Sequence, residues 1–304
     1  MKRILVTGAG GAGIYPLWNI LKNKYKFFFA DFDITLIDPE IPSRSKIKVP
    51  MASNKNFLPV LKKIIKKNNI DLIVPTVDEE IIKISSSTSI SSICFIPNKD
   101  FIKRTMDKFV LIEELKKFNF QFPKTYLSSR MDIPFPKKYI IKPRFGRGSR
   151  NIHTITRHQQ IKNYLRLYNF KSKDIIVQEF IKGIEFTIFV GMSKNETLVK
   201  ILPLKICQKK GITISGEVKN NIRVINFVKN FCKYFKTSNS FNIQLIISKK
   251  GVYPIEVNPR ISTTFFISLL DGYDPFKHRK IYNEKLEIGK KKIKLRRYWK
   301  NIIN

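Results

Sequence analysis

Two strand-like runs, FNIQLIIS (241–248) and VYPIEVNP (252–259), joined by KKG, constrain this 304-residue chain more than any other stretch. A three-residue hairpin loop with glycine last pairs Ser248 with Val252. Side chains alternate between the two faces of a strand, so this register sets Gln244 opposite Glu256 and Asn242 opposite Asn258. Ile243, Leu245, Ile247, Tyr253, Ile255 and Val257 then project to the other face. One face is core, and the other gathers oxygen atoms. A lone carboxylate on that face is costly to desolvate, whereas carboxylate and amide oxygens together suit a hard cation such as magnesium, with Arg260 beside it for phosphate. The competing reading is a solvated hairpin face without metal.

At the other end, RILVTGAG reads as a strand entering a glycine turn, and YPLWNILKN as the helix that follows. Gly8, Gly10 and Gly13 have the G-x-G-x-x-G spacing, which holds a dinucleotide phosphate or makes a purely structural turn. A second strand is expected at DITLID, ending at Asp38, further along than the usual ribose-binding acid. A helix at 57–68 and a strand at DLIVPT (71–76) continue a β/α alternation that implies a small doubly wound parallel sheet. The Ser-rich stretch 84–92 and IPNKD (96–100) break it, giving a first unit of 1–98 and a second of 99–304.

In the second unit a helix is expected at about 105–118, then strands at KKYIIKP (137–143) and NIHTIT (151–156) around RFGRGSR. Gly146, Gly148 and Ser149, flanked by three arginines, make a basic loop rich in N–H groups that suits a polyphosphate, or is an ordinary mobile loop. DIIVQEFIKGIEFTIFVG (174–191) reads as a pair of strands turning near Lys182 and Gly183, with Glu179 and Glu185 flanking the turn. Those acids suit an adenine amino group and ribose hydroxyls, or need no function at all.

Composition narrows the alternatives. The 58 Lys+Arg against 23 Asp+Glu, a net charge of +35, raise nucleic acid or an anionic surface as a partner. The lysines run through the whole chain, however, and in LKKIIKKNN (61–69) they accompany apolar residues at helical spacing, as on a solvated helix face. Three cysteines, Cys94, Cys207 and Cys232, lack ligand or disulfide spacing. No apolar run reaches the length of a membrane span, so a cytoplasmic chain is expected. His153, His158 and His278 are scattered and read as surface or packing residues.

The glycine turn, DLIVPTVDEE, DKF (107–109), IIKPRFGRGSRNI, VQEFIKGIEFT and FNIQLIISKKGVYPIEVNPR follow one another in the order found in ATP-grasp proteins. Over about residues 2–275 the chain resembles the carbamoyl-phosphate-synthetase-like and amino-acid ligase branch of that superfamily. The resemblance implies an N-terminal doubly wound parallel (pre-ATP-grasp) domain, then a two-part ATP-grasp fold with antiparallel sheets and a lid at about 124–182. It implies ATP and magnesium or manganese as cofactors. Position by position, Lys108 and Lys142 match phosphate-contacting lysines, Glu179 and Glu185 the acids at adenine and ribose, Gln244, Glu256 and Asn258 metal ligands, and Arg260 a phosphate-side arginine with a catalytic role.

The implied reaction activates a carboxylate as an acyl phosphate and joins it to an amine, both small molecules, with nucleic acid not expected as substrate and a homo-oligomer left open. In such proteins the N-terminal domain helps form the substrate side, which disfavours a nicotinamide cofactor. A basic nucleic-acid-binding protein is the alternative, and an NAD-dependent oxidoreductase is the more distant one. Two departures stand out: Thr263 where carbamoyl phosphate synthetase has an arginine, and Phe189 where relatives commonly have an acid.

Overall fold

The computed structural model describes residues 1–130, 132–277 and 285–299, so His278 lies outside the described residues. The first unit is a parallel sheet in the order β3-β2-β1-β4, made of β1 (Arg3–Thr7), β2 (Lys26–Asp31), β3 (Lys46–Lys48) and β4 (Leu72–Pro75). Around it lie α1 (Ile14–Leu21), α2 (Phe57–Asn68), α3 (Asp78–Ser85) and α4 (Thr88–Ser91). On α2, Phe57, Leu61 and Ile64 are buried while Lys62, Lys63, Lys66 and Lys67 are exposed, as expected of an amphipathic helix.

The second strand lies earlier than the sequence reading put it. KFFFAD forms β2, whereas Ile34–Leu36 is a short 3-10 turn that Asp33 caps by accepting from the Thr35 N–H. A central parallel strand is covered on both faces, so it carries a continuous apolar run instead of the alternation of a half-buried strand. Its last residue is therefore Asp31, not Asp38, and Asp31 sits beside the glycine turn.

The expected helix at 105–118 is two helices, α5 (Lys99–Thr105) and α6 (Lys108–Lys117), capped by Asn98 and Asp107. A four-stranded antiparallel sheet follows in the order β5-β8-β6-β7, from β5 (Thr125–Leu127), β6 (Tyr139–Pro143), β7 (His153–Ile155) and β8 (Ile175–Glu179), backed by α7 (His158–Tyr168). The largest sheet runs β13-β12-β9-β10-β11-β15, with β14 added to β10. Its strands are β9 (Ile184–Met192), β10 (Leu198–Lys210), β11 (Ile212–Val218), β12 (Phe241–Ser248), β13 (Gly251–Asn258), β14 (Glu287–Ile288) and β15 (Lys294–Arg296); α8 (Ile222–Tyr234) and α9 (Phe266–Leu270) accompany it.

β8 and β9 are not a pair. β8 pairs with β5 and β6, and β9 pairs with β10 and β12, so the chain changes sheet at Gly183. A Cβ at Gly183 would sit 2.2 Å from the Ile247 carbonyl oxygen, which is why glycine stands where the two sheets cross. Phe189 also finds its place: its ring centroid lies 5.6 Å from that of Phe265 and 5.8 Å from that of Tyr273, in the core shared with the N-terminal unit.

In the hairpin, Asn242 faces Asn258 and Gln244 faces Glu256, as expected. The route to that register differs, because the turn is Lys249–Lys250 with Ser248 opposite Gly251, and an irregularity between Gln244 and Leu245 absorbs the extra residue. Pro254, opposite Leu245, has no N–H to give to the ladder, which favours a bulge there. Past the bulge the faces exchange. Ile243, Leu245, Ile247 and Val257 stay in the core cluster of that face, joined by Val252, while Tyr253 and Ile255 turn to the opposite face, where Tyr253 is still buried and its Oη accepts from Gln121 at 2.7 Å.

Candidate active site

The two hairpin strands present Gln244, Glu256 and Asn258 on one face, and a basic side chain from another element approaches each of them. Lys209, near the end of β10, donates to Gln244 Oε1 at 3.1 Å and pairs with Glu185. Lys108, at the start of α6, lies 3.9 Å from Glu256. Arg260 donates to Asn258 Oδ1 at 3.1 Å and pairs with Asp78 at the start of α3. Burial works against the Arg260 charge, but Asp78, with Glu256 and Glu79 behind it, more than compensates and holds the guanidinium ionised.

Lys142, on β6 of the smaller sheet, donates to the Ile255 carbonyl oxygen at 3.3 Å. Burial pushes its ammonium down to about 7; Lys108 and Lys209 add to the effect, and Glu256 and Glu185 oppose it. A nearly dry lysine among other cations is half ready to lose its proton, and an anion placed beside it would restore the charge.

The glycine loop arches over this cluster. Gly146 has φ +136° and Gly148 φ +66°, with no atom within 4 Å of a Cβ at either, so the conformation calls for glycine and the space around it is open. Ser149 and Asn151 also have positive φ. Lys108 Nζ donates to the Gly146 carbonyl oxygen at 3.0 Å, and Ser149 Oγ to that of Gly211 at 3.4 Å, at the β10–β11 turn. Arg144 anchors the loop base on Asp107, the cap of α6.

A small pocket of about 80 Å³ is lined by Gly148, Ser149, Lys209, Gln244, Glu256 and Arg260 among others. Glu179 stands apart from this group. It ends β8, on the other side of the sheet change, and one carboxylate oxygen accepts from the Lys124 N–H at 3.3 Å.

Glu256 supplies one carboxylate, and Gln244 and Asn258 supply amide oxygens; in this state all three draw cationic nitrogens. One carboxylate with two amides fits a hard divalent cation that takes further oxygens from phosphate.

A family model for the ATP-grasp domain matches residues 105–264, more than half of the chain. The chain belongs to the ATP-grasp family. It is 30% identical over 171 residues to a D-alanine–D-alanine ligase of Petrotoga mobilis, covering 51% of this chain and 57% of that protein. Over 222 residues it is 28% identical to a tyramine–L-glutamate ligase of Methanocaldococcus jannaschii, covering 68% of this chain and 61% of that one. The chain thus spans less than two thirds of the length of these relatives.

Among solved structures, an N5-carboxyaminoimidazole synthetase from Staphylococcus aureus complexed with ADP aligns with TM-score 0.69 at 14% identity, over 91% of this chain and 76% of that one. An L-amino acid ligase from Bacillus licheniformis aligns with TM-score 0.67 at 11% identity, over 87% and 68%. At such identities the likeness is one of fold.

For an ATP-grasp chain, the expectations passed over several residues that the fold brings to the site. Lys209 is one lysine among many in the sequence, and nothing in QKKG marks it. Asp78, the partner of Arg260, belongs to VDEE, whose position just after a parallel strand was a usable signal, because open α/β sheets form sites at the carboxyl ends of their strands. Glu80, from the same segment, is 7% exposed and accepts from Thr7 Oγ1 at 2.5 Å. Burial pushes its carboxyl up to about 7; Asp31 and Glu79 reinforce this, and Thr7 and Arg147 oppose it.

The glycine turn is a packing surface. A Cβ at Gly8 would lie 2.3 Å from Val77 Cγ2, one at Gly10 2.7 Å from Leu36 Cβ, and one at Gly13 2.7 Å from the Thr263 carbonyl oxygen. The Gly10 N–H, an amide a pyrophosphate would use, already donates to Asp31 Oδ2 at 2.8 Å. Among the described residues no helix is long and apolar enough to cross a membrane.

Proposed function

We propose that this ATP-grasp protein is a carboxylate–amine ligase that uses ATP and a divalent metal. The observation carrying the reading is the convergence of Lys108, Lys142 and Lys209, from three separate elements, on the oxygen face of Gln244, Glu256 and Asn258 beneath an open glycine loop. The relatives are named as ligases, which supports this class of reaction. The units 1–98 and 99–304, with a lid at about 124–182, and a cytoplasmic site of action belong to the same reading.

In the proposed reaction a substrate carboxylate oxygen attacks the γ-phosphorus of ATP, ADP leaves, and a neutral amine then attacks the acyl carbon and expels phosphate, which carries off the amine's proton. Lys108 and Lys142 would hold the phosphates, and Lys142 would regain its full charge as the anion enters. The amides of the Gly146–Ser149 loop would cover the phosphates and exclude water from the reactive anhydride. Glu179 and Glu185 would take the nucleoside, and Arg260, held by Asp78, would present its remaining donors to the transferred phosphoryl group. Gln244, Glu256 and Asn258 would bind magnesium or manganese, which when present neutralises charge on the phosphate oxygens.

Glu256→Gln keeps the size and the strand and removes the one carboxylate of the metal set. Turnover, read as metal-dependent ADP release with a carboxylate and an amine supplied, should fall at least about a hundredfold. The melting curve of the nucleotide-free protein should shift by no more than about 1 kcal/mol. A folded variant with undiminished turnover would remove the site.

A further inference from the structure

The C-terminal segment 285–299 returns to the large sheet and is anchored there twice. The first anchor is in the core. Asp271, whose side chain is fully buried, accepts from Lys200 Nζ at 2.6 Å and from the backbone N–H groups of Lys290 and Lys291 at 3.0 and 2.7 Å. Nearby, β14 pairs with β10, and β15 pairs with β11 through Ser215, Gly216 and Glu217. None of these contacts uses the side chain of Arg297.

That side chain makes the second anchor, and it spans three walls of the candidate site. Its Nη1 donates to the Ala12 carbonyl oxygen at 2.6 Å, its Nη2 to that of Thr263 at 2.5 Å and its Nε to that of Thr213 at 3.0 Å. Ala12 lies in the glycine turn, Thr263 follows Arg260 by three residues, and Thr213 follows Gly211, whose carbonyl oxygen accepts from Ser149 of the glycine loop. Burial works against the Arg297 charge, and no acid offsets it among the described residues. Three hydrogen bonds from a charged donor oppose that cost. Residues 259–265 belong to no helix or strand, so individual contacts hold them where a ladder does not. The Thr263 carbonyl oxygen both accepts from Arg297 and packs on Gly13, where a Cβ would lie 2.7 Å away.

We propose that Arg297 is a positioning residue, which clamps the glycine turn, the segment after β13 and the start of β11 in one arrangement and so keeps Arg260 aimed at the transferred phosphoryl group. The task given to Arg260 rests on the ligase reading; the clamp itself does not. A lysine has one nitrogen at its tip and cannot span three carbonyls arranged around a planar fork, so it should not replace Arg297. A small displacement of an orienting group slows a reaction steeply. Nucleotide held by Lys108 and Lys142, on α6 and β6, should feel it little, because Arg297 touches neither element.

The test compares the full chain with Arg297→Gln and Arg297→Lys by amide hydrogen exchange and by ADP release from magnesium-ATP, with a mixture of the standard amino acids as carboxylates and hydroxylamine as the amine. In both variants the segments 8–17 and 259–268 should exchange at least about tenfold faster, while the hairpin 241–258 keeps its rate. The kcat should fall at least about tenfold with KM for ATP moved less than about threefold. The Lys variant carries the comparison if the Gln variant does not fold. Unaltered exchange in both segments, faster exchange spread equally over the hairpin, or a Lys variant with the exchange and kcat of the unaltered protein overturns the proposal. Faster local exchange with unchanged kcat also overturns it, and keeps the ligase. Faster local exchange in a protein whose unaltered form releases no ADP leaves the clamp assigned and counts against the ligase reading alone.

Discussion

The glycine turn at Gly8–Gly13 and the glycine loop at Gly146–Gly148 look alike in the sequence, yet the fold uses them in opposite ways. In the turn, added Cβ atoms would strike Val77, Leu36 and Thr263, so glycine is there to let neighbouring chain close in. In the loop nothing lies within 4 Å of the same hypothetical atoms, and glycine is there because φ is positive. Their immediate neighbours in the fold differ as well: the Gly10 N–H in the turn is held by Asp31, whereas Lys108 donates to the Gly146 carbonyl oxygen in the loop. Glycine spacing alone therefore does not identify a phosphate site. A phosphate site also needs open space, free N–H groups and a positive surround.

Substitution in the turn should break the comparison most strongly. Gly8 combines φ +64° with a contact of 2.3 Å, so Gly8→Val should cost about 3 kcal/mol or more, seen as a lower midpoint in urea unfolding. A midpoint near that of the unaltered protein would show that the turn is not tightly packed.

The acids beneath the turn sharpen the contrast through pH. The folded-state pKa of Glu80, about 7, lies above its ordinary 4.5, so the native state holds the extra proton between those values. Stability should fall as pH rises through that window and level off above it, by roughly 3 kcal/mol in total from this group. The groups facing Glu80 are Thr7, Asp31, Glu79 and Arg147, of which Asp31 and Glu79 add to the effect. In Glu80→Gln that part of the slope should vanish, as melting temperatures at pH 5 and pH 8 would show.

Replacement in the loop should have the smallest effect, and one of a different kind. Gly148→Val introduces strain at φ +66° without a clash, about 1–2 kcal/mol of stability. ATP turnover should drop about tenfold or more, because a branched side chain stiffens the loop and holds its amides away from phosphate. Equal turnover would remove the lid role from this loop.

Local regularities account for what was legible beforehand. Alternation along FNIQLIIS and VYPIEVNP was enough to bring Gln244 opposite Glu256, although the true turn is shorter and a bulge restores the register. The same alternation put Tyr253 and Ile255 on the wrong face, since a bulge favoured by Pro254 exchanges the faces and leaves little mark in the pattern. Period and length also found α2 and the parallel sheet, but a strand covered on both faces, KFFFAD, lacks the signature that alternation supplies.

By itself the sequence determined the strands and helices whose apolar period is unbroken, the oxygen face of the hairpin and the order of the ATP-grasp segments. Tertiary structure alone decided which of the 58 basic residues reach that face, because a lysine on a solvated helix and Lys209 in the site have the same local context. It also joined Arg260 to Asp78, 182 residues away, sent β8 and β9 into different sheets, and closed the glycine turn while leaving the glycine loop open. The physical reason is range. Backbone propensity and side-chain alternation act over a few residues, whereas burial and ion pairing depend on which distant segments the packed core brings together.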